Sequence, residues 1–401
     1  MSAYKYPFLV PNPVRLSEHV DQLRRIEASG WFSNYGPTNI EFETDVIRSL
    51  YAGSGHCVTV NNATIGLMLA IKHACEMRQT RSTVVTRRAK YAIMPAFTFP
   101  ATGHAALWNG LTPLLCDVDP NTWLPDTQSI LSLVTTYDDQ VAVVVPNATF
   151  GNPLDVTWYE HLTEQTGIPV VVDAAASMGS YTHDGRHFGH GSSIPIVFSF
   201  HATKTFATAE GGLIYSAHAD TIRELRRMGN FGFDEHRSTV LPGLNSKLSE
   251  IGALLCLEKL HEFPQVLQKR RRLAQLYATT LVPDLVTQYV SPNSPPFQFY
   301  PVAVRVNAAT PGCRDRLVQS AAANGLEVRT YFSPLLHQHP YFSKRSLCDN
   351  LDHSLSLAER TLSVPLHDHL SEEDVRVISE IVNRSFESSI NVTRTGTHGT
   401  T

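Results

Sequence analysis

The 401-residue chain is poor in cysteine, and its six cysteines are scattered. Cys57, Cys75, Cys116, Cys256, Cys313 and Cys348 form no CxxC pair. Such spacing suits neither a zinc finger nor a disulfide framework, so reduced, mostly buried thiols are expected and a metal is not. Long apolar runs are missing too. Nothing approaches the uninterrupted stretch of about 18 residues that a membrane-spanning helix needs. The opening MSAYKYPFLVPNPVRL has no charged segment followed by an apolar one, which argues against a secretory signal. A soluble, cytoplasmic protein without a membrane partner is expected. Neither sign of charge is in excess, with a formal net charge of -4, so no nucleic-acid partner is implied. The local basic run from Arg78 to Lys90 reads as a solvated surface insertion. No GxGxxG opens a helix and no P-loop is present, which removes the dinucleotide and nucleoside-triphosphate folds.

What is present is a core. Hydrophobic residues make up 42% of the chain and charged ones 17%, proportions of a well-packed globular protein. From about residue 56 apolar strands alternate with helices. Strands are expected at 58–60, 91–94, 113–118, 141–145 and 169–172, and helices at 65–75, 100–108, 127–135 and 156–166. Strands apolar throughout are buried on both faces. The expectation is an α/β fold: a three-layer α/β/α large domain with a mostly parallel mixed sheet, and a smaller α+β C-terminal domain. The large domain would span 1–250, with helices at 17–28 and 40–51 in its N-terminal segment. The small domain would span 251–386. A bridging helix from about 248 to 281, broken near Pro264, would lead into it. Strands at 297–306 and 327–332 and helices at 314–324, 354–362 and 372–384 follow, the last with a Ser371/Asp374 capping box. Residues 387–401, rich in Ser, Thr and Gly, read as a disordered tail.

The chain is organised around Lys204. It lies between the apolar run Ile196-Val197-Phe198 and the strand Leu213-Ile214-Tyr215, followed by the turn Glu210-Gly211-Gly212. A lysine there is either a surface charge or an amine held in a pocket for Schiff-base chemistry. Asp173 ends the strand Val170-Val171-Val172. An acid at the carboxyl end of a buried parallel strand faces the ligand crevice, although it could equally cap a helix. A carboxylate fixed there can pair with a protonated heterocyclic nitrogen. Ala63 and Thr64 open a helix after a strand, which makes either a simple cap or an anion site. Ser199 could add a hydroxyl to the same anion. Phe99 also follows a strand, as a core residue or a stacking platform. Together they are the parts needed to hold pyridoxal 5′-phosphate (PLP).

In order and spacing these segments resemble the DegT/StrS-type PLP-dependent sugar aminotransferases, of the aspartate-aminotransferase fold. The resemblance runs from about Gly30 to Ile381. It is carried by Ser29-Gly30-Trp31, Tyr35-Gly36-Pro37, Asn62-Ala63-Thr64, Pro95 to Thr102, Phe150-Gly151-Asn152-Pro153, Asp173-Ala174-Ala175, Ser199 to Lys204, Glu210-Gly211-Gly212, Gly243 to Lys247, Pro334 to His337 and Val364-Pro365-Leu366. It implies that Lys204 holds PLP as a Schiff base and moves the proton, and that Asp173 keeps the ring nitrogen protonated. It further implies that Phe99 stacks on the ring and that Ala63, Thr64 and Ser199 bind the phosphate. Asn245 matches a residue that reaches the phosphate from the neighbouring subunit, which implies a homodimer with shared active sites. Two departures stand out. Ala176 occupies a position where the family usually has Gln or His against the cofactor's 3′-oxygen, with Ser177 as a candidate substitute. Lys247 stands where Arg is commoner. Tyr35, His201, Arg329, Tyr331 and His337 are candidate substrate contacts.

The reaction so implied is transfer of an amino group, from L-glutamate as the expected donor, to a nucleotide-linked keto-sugar such as a dTDP-4-keto-6-deoxyhexose. Three alternatives stand beside it: another ketone, sugar dehydration, or a non-catalytic regulatory relative. A dehydratase would be expected to carry His where Lys204 stands, and a scaffold needs none of these groups.

Overall fold

In the computed structural model, residues 4–81, 89–290 and 297–391 are described. Most of the basic run expected as a surface insertion, and the end of the expected tail, lie outside them. The large domain is built on two four-stranded sheets that continue into each other. One has the order His56–Val60, Gly212–Ser216, Ile196–Ser199, Val172–Asp173. The other runs Val141–Val144, Tyr91–Pro95, Thr112–Cys116, Leu347–Cys348. Parallel bridges Val144↔Val170 and Asn147↔Asp173 join them. Pairing is parallel except around Gly212–Ser216, which runs antiparallel to both of its neighbours. Every residue of Val141–Val144 and Ile196–Ser199 is buried, as both-face coverage by helices requires. Each fully buried Val or Ile here contributes roughly 1.5–3 kcal/mol of transfer free energy.

The register fixes the site. Val60 and Ser199 both pair with Gly212, and Asp173 pairs with Val197 and Asn147. The ends of four strands therefore open onto one edge of the sheet, where an open α/β fold keeps its crevice. The helix Ala63–Arg81 crosses that edge closely. A Cβ on Gly66 would lie 2.9 Å from Val197, and one on Gly212 would lie 2.8 Å from the Phe198 carbonyl and 3.0 Å from the Ala63 nitrogen. Both glycines are needed for their lack of a side chain.

The bridging helix is one continuous span, Glu250–Thr280, with Pro264 inside it. The expected break is absent because Phe263, Val266 and Leu267 beside the proline are buried in the core, and tertiary packing outweighs a lost hydrogen bond. The small domain pairs Tyr300–Val304 with Leu285–Val286 and Thr361–Val364. Two expectations fail here. Residues 327–332 form no strand beyond the single bridge Arg329↔Ser363. The helix expected to reach Leu362 stops at Arg360, because β-branched Thr361 begins the strand that pairs with Tyr300–Val304. The final helix runs Glu372–Asn391, past the expected end, so residues 387–391 are helical. Its capping box is present: Ser371 and Asp374 exchange bonds of 2.8 and 3.1 Å. All six cysteines are free, and four are buried; Cys75 is half-buried and Cys348 exposed.

Candidate active site

A cavity of about 670 Å³ opens at the shared strand edge. Lys204, Asp173, Ala63, Thr64, Ser199, Phe99, Ala176, His201 and Tyr331 line it, so nine of the residues singled out in sequence converge on one space. Phe150, Phe299, Tyr331 and Phe332 form an aromatic wall, with Phe299 and Tyr331 stacked at 5.4 Å and Phe150 and Phe332 stacked at 5.0 Å, and Phe8 packs tilted behind Phe299.

Lys204 sits in the turn after Ile196–Ser199, where its N–H bonds to the His201 carbonyl at 2.8 Å. Burial pushes its amine down to about 8, with Asp173 pulling the other way. Its Nζ donates to Oε1 of Gln298 at 3.0 Å. An amine with this value is partly neutral near neutral pH, as a nucleophile toward a carbonyl must be.

Asp173 is 4% exposed. Burial raises its carboxyl; the Thr102 hydroxyl at 2.6 Å, the Ala175 N–H at 3.1 Å and Lys204 act against that rise. The capping alternative fails, because a turn and not a helix follows it. A buried carboxylate fixed by two donors and facing a cavity is suited to hold a cationic ring nitrogen.

At the other end Asn62 caps the helix Ala63–Arg81, its Oδ1 accepting from Ile65 N–H at 3.0 Å. The helix start at Ala63 and Thr64 borders the cavity beside Ser199, as anion binding requires. Phe99 is 54% exposed although it is a large apolar group, which is expected of a stacking platform and not of a core residue.

The remaining candidates lie elsewhere. Ser177 is fully buried and does not reach the cavity, so it does not make good what Ala176 lacks. Tyr35 packs 4.6 Å from the Arg226 guanidinium, and burial holds its phenol up at about 12. Arg329 is exposed and ion-paired with Glu327. His337 lies on the short 3₁₀ turn Leu336–Gln338, half-buried. Asn245 is exposed and bridges Asn230, away from the cavity of its own chain. Sequence reasoning missed Thr102, Asn147 and Gln298. Thr102 was within reach, since it lies one turn into a helix that starts at a strand end; Gln298 was not, because its place depends on how the small domain docks.

The chemistry of this donor set fits PLP: a helix start suits an anion, the buried Asp173 carboxylate a cationic nitrogen, the exposed face of Phe99 a flat ring and the Lys204 amine a carbonyl carbon. The sequence profile of the DegT/DnrJ/EryC1/StrS aminotransferase family matches residues 15–383. The dTDP-4-amino-4,6-dideoxy-D-glucose transaminase of Escherichia coli is 27% identical over 385 residues, covering 94% of this chain and 97% of the relative. A Bacillus cereus protein provisionally described as a PLP-dependent aminotransferase is 34% identical and superposes with a TM-score of 0.86, covering 94% of this chain and 99% of that one. The structure of DesI in the presence of its TDP-sugar product is 32% identical with a TM-score of 0.83, covering 98% and 97%.

Proposed function

Since the chain belongs to the DegT/DnrJ/EryC1/StrS aminotransferase family, we propose that it transfers an amino group from L-glutamate to a dTDP-linked 4-keto-6-deoxyhexose. It is a PLP-dependent aminotransferase. The observation that carries the reading is the facing of the Lys204 amine and the buried Asp173 carboxylate across one cavity that is bounded by a helix start. The choice of sugar rests on the E. coli transaminase and on DesI with its TDP-sugar product.

Bound PLP supplies an electron sink for the carbon that loses its proton. The chain's own residues do the rest. Asp173 holds the ring nitrogen in its protonated form, and Thr102 fixes the orientation of that carboxylate. The start of the helix at Ala63, with Ser199, binds the phosphate. Phe99 covers the ring. Lys204 would hold the cofactor through its amine and would be the group that moves the proton at the reacting centre; a value of about 8 suits a group that must both accept and release a proton near neutral pH. The aromatic wall around Phe150, Phe299 and Phe332 excludes water from that proton.

We infer further that two copies share their sites. Asn245 is exposed and away from its own cavity, and Trp31, Phe32, Phe231, Val240 and Ile251 expose large apolar groups. A homodimer that covers them would bring Asn245 to the partner's phosphate. Incubation with L-glutamate and dTDP-4-keto-6-deoxyglucose should yield a dTDP-amino sugar and 2-oxoglutarate by mass spectrometry. If glutamate alone yields 2-oxoglutarate but no nucleotide sugar accepts the amine, the substrate is wrong and the chemistry stands.

A further inference from the structure

Gln298 enters the cavity from a different part of the chain. It precedes the small-domain strand Tyr300–Val304 and is 8% exposed. Its amide bridges two residues of the lysine turn: Oε1 accepts from Lys204 Nζ at 3.0 Å, and Nε2 donates to the Thr203 hydroxyl at 3.2 Å. Thr203 is held in turn by the His201 ring at 2.8 Å. The Gln298 backbone is also pinned. The Arg270 guanidinium donates to the carbonyls of Phe297 and Gln298, both at 3.2 Å, and to that of Leu366 at 3.0 Å, and it is itself buried against Asp368 at 2.8 Å. A long polar side chain thus has its main chain fixed by a buried ion pair and both ends of its amide engaged. That is more order than filling a gap requires, since fixing so long and flexible a side chain costs conformational entropy.

We propose that Gln298 is a positioning residue for Lys204: its amide holds the free amine over the reacting centre while the lysine is detached from the cofactor. The inference rests on the reading of the site given above. The need for such a holder follows from the charges. Lys204 is drawn electrostatically toward Asp173, the carboxylate that would have to stay paired with the ring nitrogen when the cofactor is bound. A neutral amide can retain the amine without competing for its proton, and because an ammonium can only donate, the lysine selects the Oε1 end of the amide and leaves Nε2 for the Thr203 hydroxyl. A Gln-to-Met change removes this with almost no change in volume. Gln-to-Glu keeps the acceptor and adds a charge.

The test uses the full chain stripped of cofactor, so that it does not depend on turnover. Reductive methylation with formaldehyde and cyanoborohydride, read by mass spectrometry on the Lys204 peptide across pH, gives the midpoint of the amine. Loss of a hydrogen bond to a charged group should move that midpoint down by about one pH unit in Gln298→Met, and Gln298→Glu should move it up. In the reloaded enzyme Gln298→Met should lower kcat by about tenfold with the KM for glutamate within about twofold, since the lost contact is made during the chemical step. Midpoints that stay at the wild-type value in both variants overturn the proposal, even if melting temperature falls, because a structural role would move only the latter. If neither protein transaminates anything but the midpoints move as stated, the proposal stands and the assigned reaction fails.

Discussion

Thr102 donates its hydroxyl to Oδ2 of Asp173 at 2.6 Å, and Thr98 lies 3.1 Å behind it. The two threonines come from the loop and helix after Tyr91–Pro95, whereas Asp173 ends another strand, so the carboxylate is oriented by a neighbouring crossover. Thr102→Val keeps the shape and deletes the donor. A hydrogen bond to a charged group is worth about 1.5–3 kcal/mol, so cofactor affinity should fall by about tenfold or more. Because Thr102 holds the Asp173 carboxyl down against burial, its loss should also move the acid limb of cofactor binding to higher pH. Equilibrium binding of PLP across pH reads both effects.

Lys204 makes stability depend on pH with a definite sign. In the cofactor-free fold its amine titrates at about 8 against 10.5 in the ordinary case. The folded chain therefore binds fewer protons than the unfolded one between those values. This contribution is fully present above the unfolded value and is lost as pH falls through the folded one. Lys204→Met removes the liability. The melting temperature of the cofactor-free variant should exceed that of the wild type near pH 7, and the gap should shrink toward pH 10.

Gly212 is where three backbones meet. Gly212→Ala would drive a methyl to within 2.8 Å of the Phe198 carbonyl and 3.0 Å of the Ala63 nitrogen. Overpacking of this kind costs about 1–3 kcal/mol. Because the strain falls on the start of the helix Ala63–Arg81, the variant should also lose more affinity for PLP than for pyridoxal, which lacks the phosphate. Thermal unfolding, together with competition by inorganic phosphate, would check this.

Phe99→Ala separates a core role from a stacking role. A residue 54% exposed contributes little to the core, so stability should change by no more than about 0.5 kcal/mol. Stacking is worth about 0.5–1.5 kcal/mol, so the PLP dissociation constant should rise by about two- to twelvefold. A large drop in melting temperature with unchanged affinity would return Phe99 to the core.

The alternation of apolar strands with helices gave the large domain directly, because strands buried on both faces leave an unbroken apolar signature. Pro100–Trp108 and Val156–Thr166 have the expected bounds, each with its start marked by Pro or by the Asp155 cap. That Asp173, Ser199 and Phe99 would meet at one edge was legible for the same reason, since each follows a strand end and all three line one cavity. What stayed hidden depends on docking between segments distant in sequence. Gln298 meets Lys204 across 94 residues. Thr361–Val364 becomes a strand only beside Tyr300–Val304. The helix Ala219–Met228 is not among the expected elements, although Ile222, Leu225 and Met228 recur at helical spacing and are buried. That signal was present in the sequence.

The central claim is that Lys204 is the amine that holds the cofactor. Borohydride reduction of the purified protein with PLP, followed by digestion and peptide mass spectrometry, tests it most directly. The account predicts a phosphopyridoxyl group on the peptide carrying Lys204, and its disappearance in Lys204→Ala. A label on another lysine, or none on the wild type under conditions where PLP binds, would contradict it.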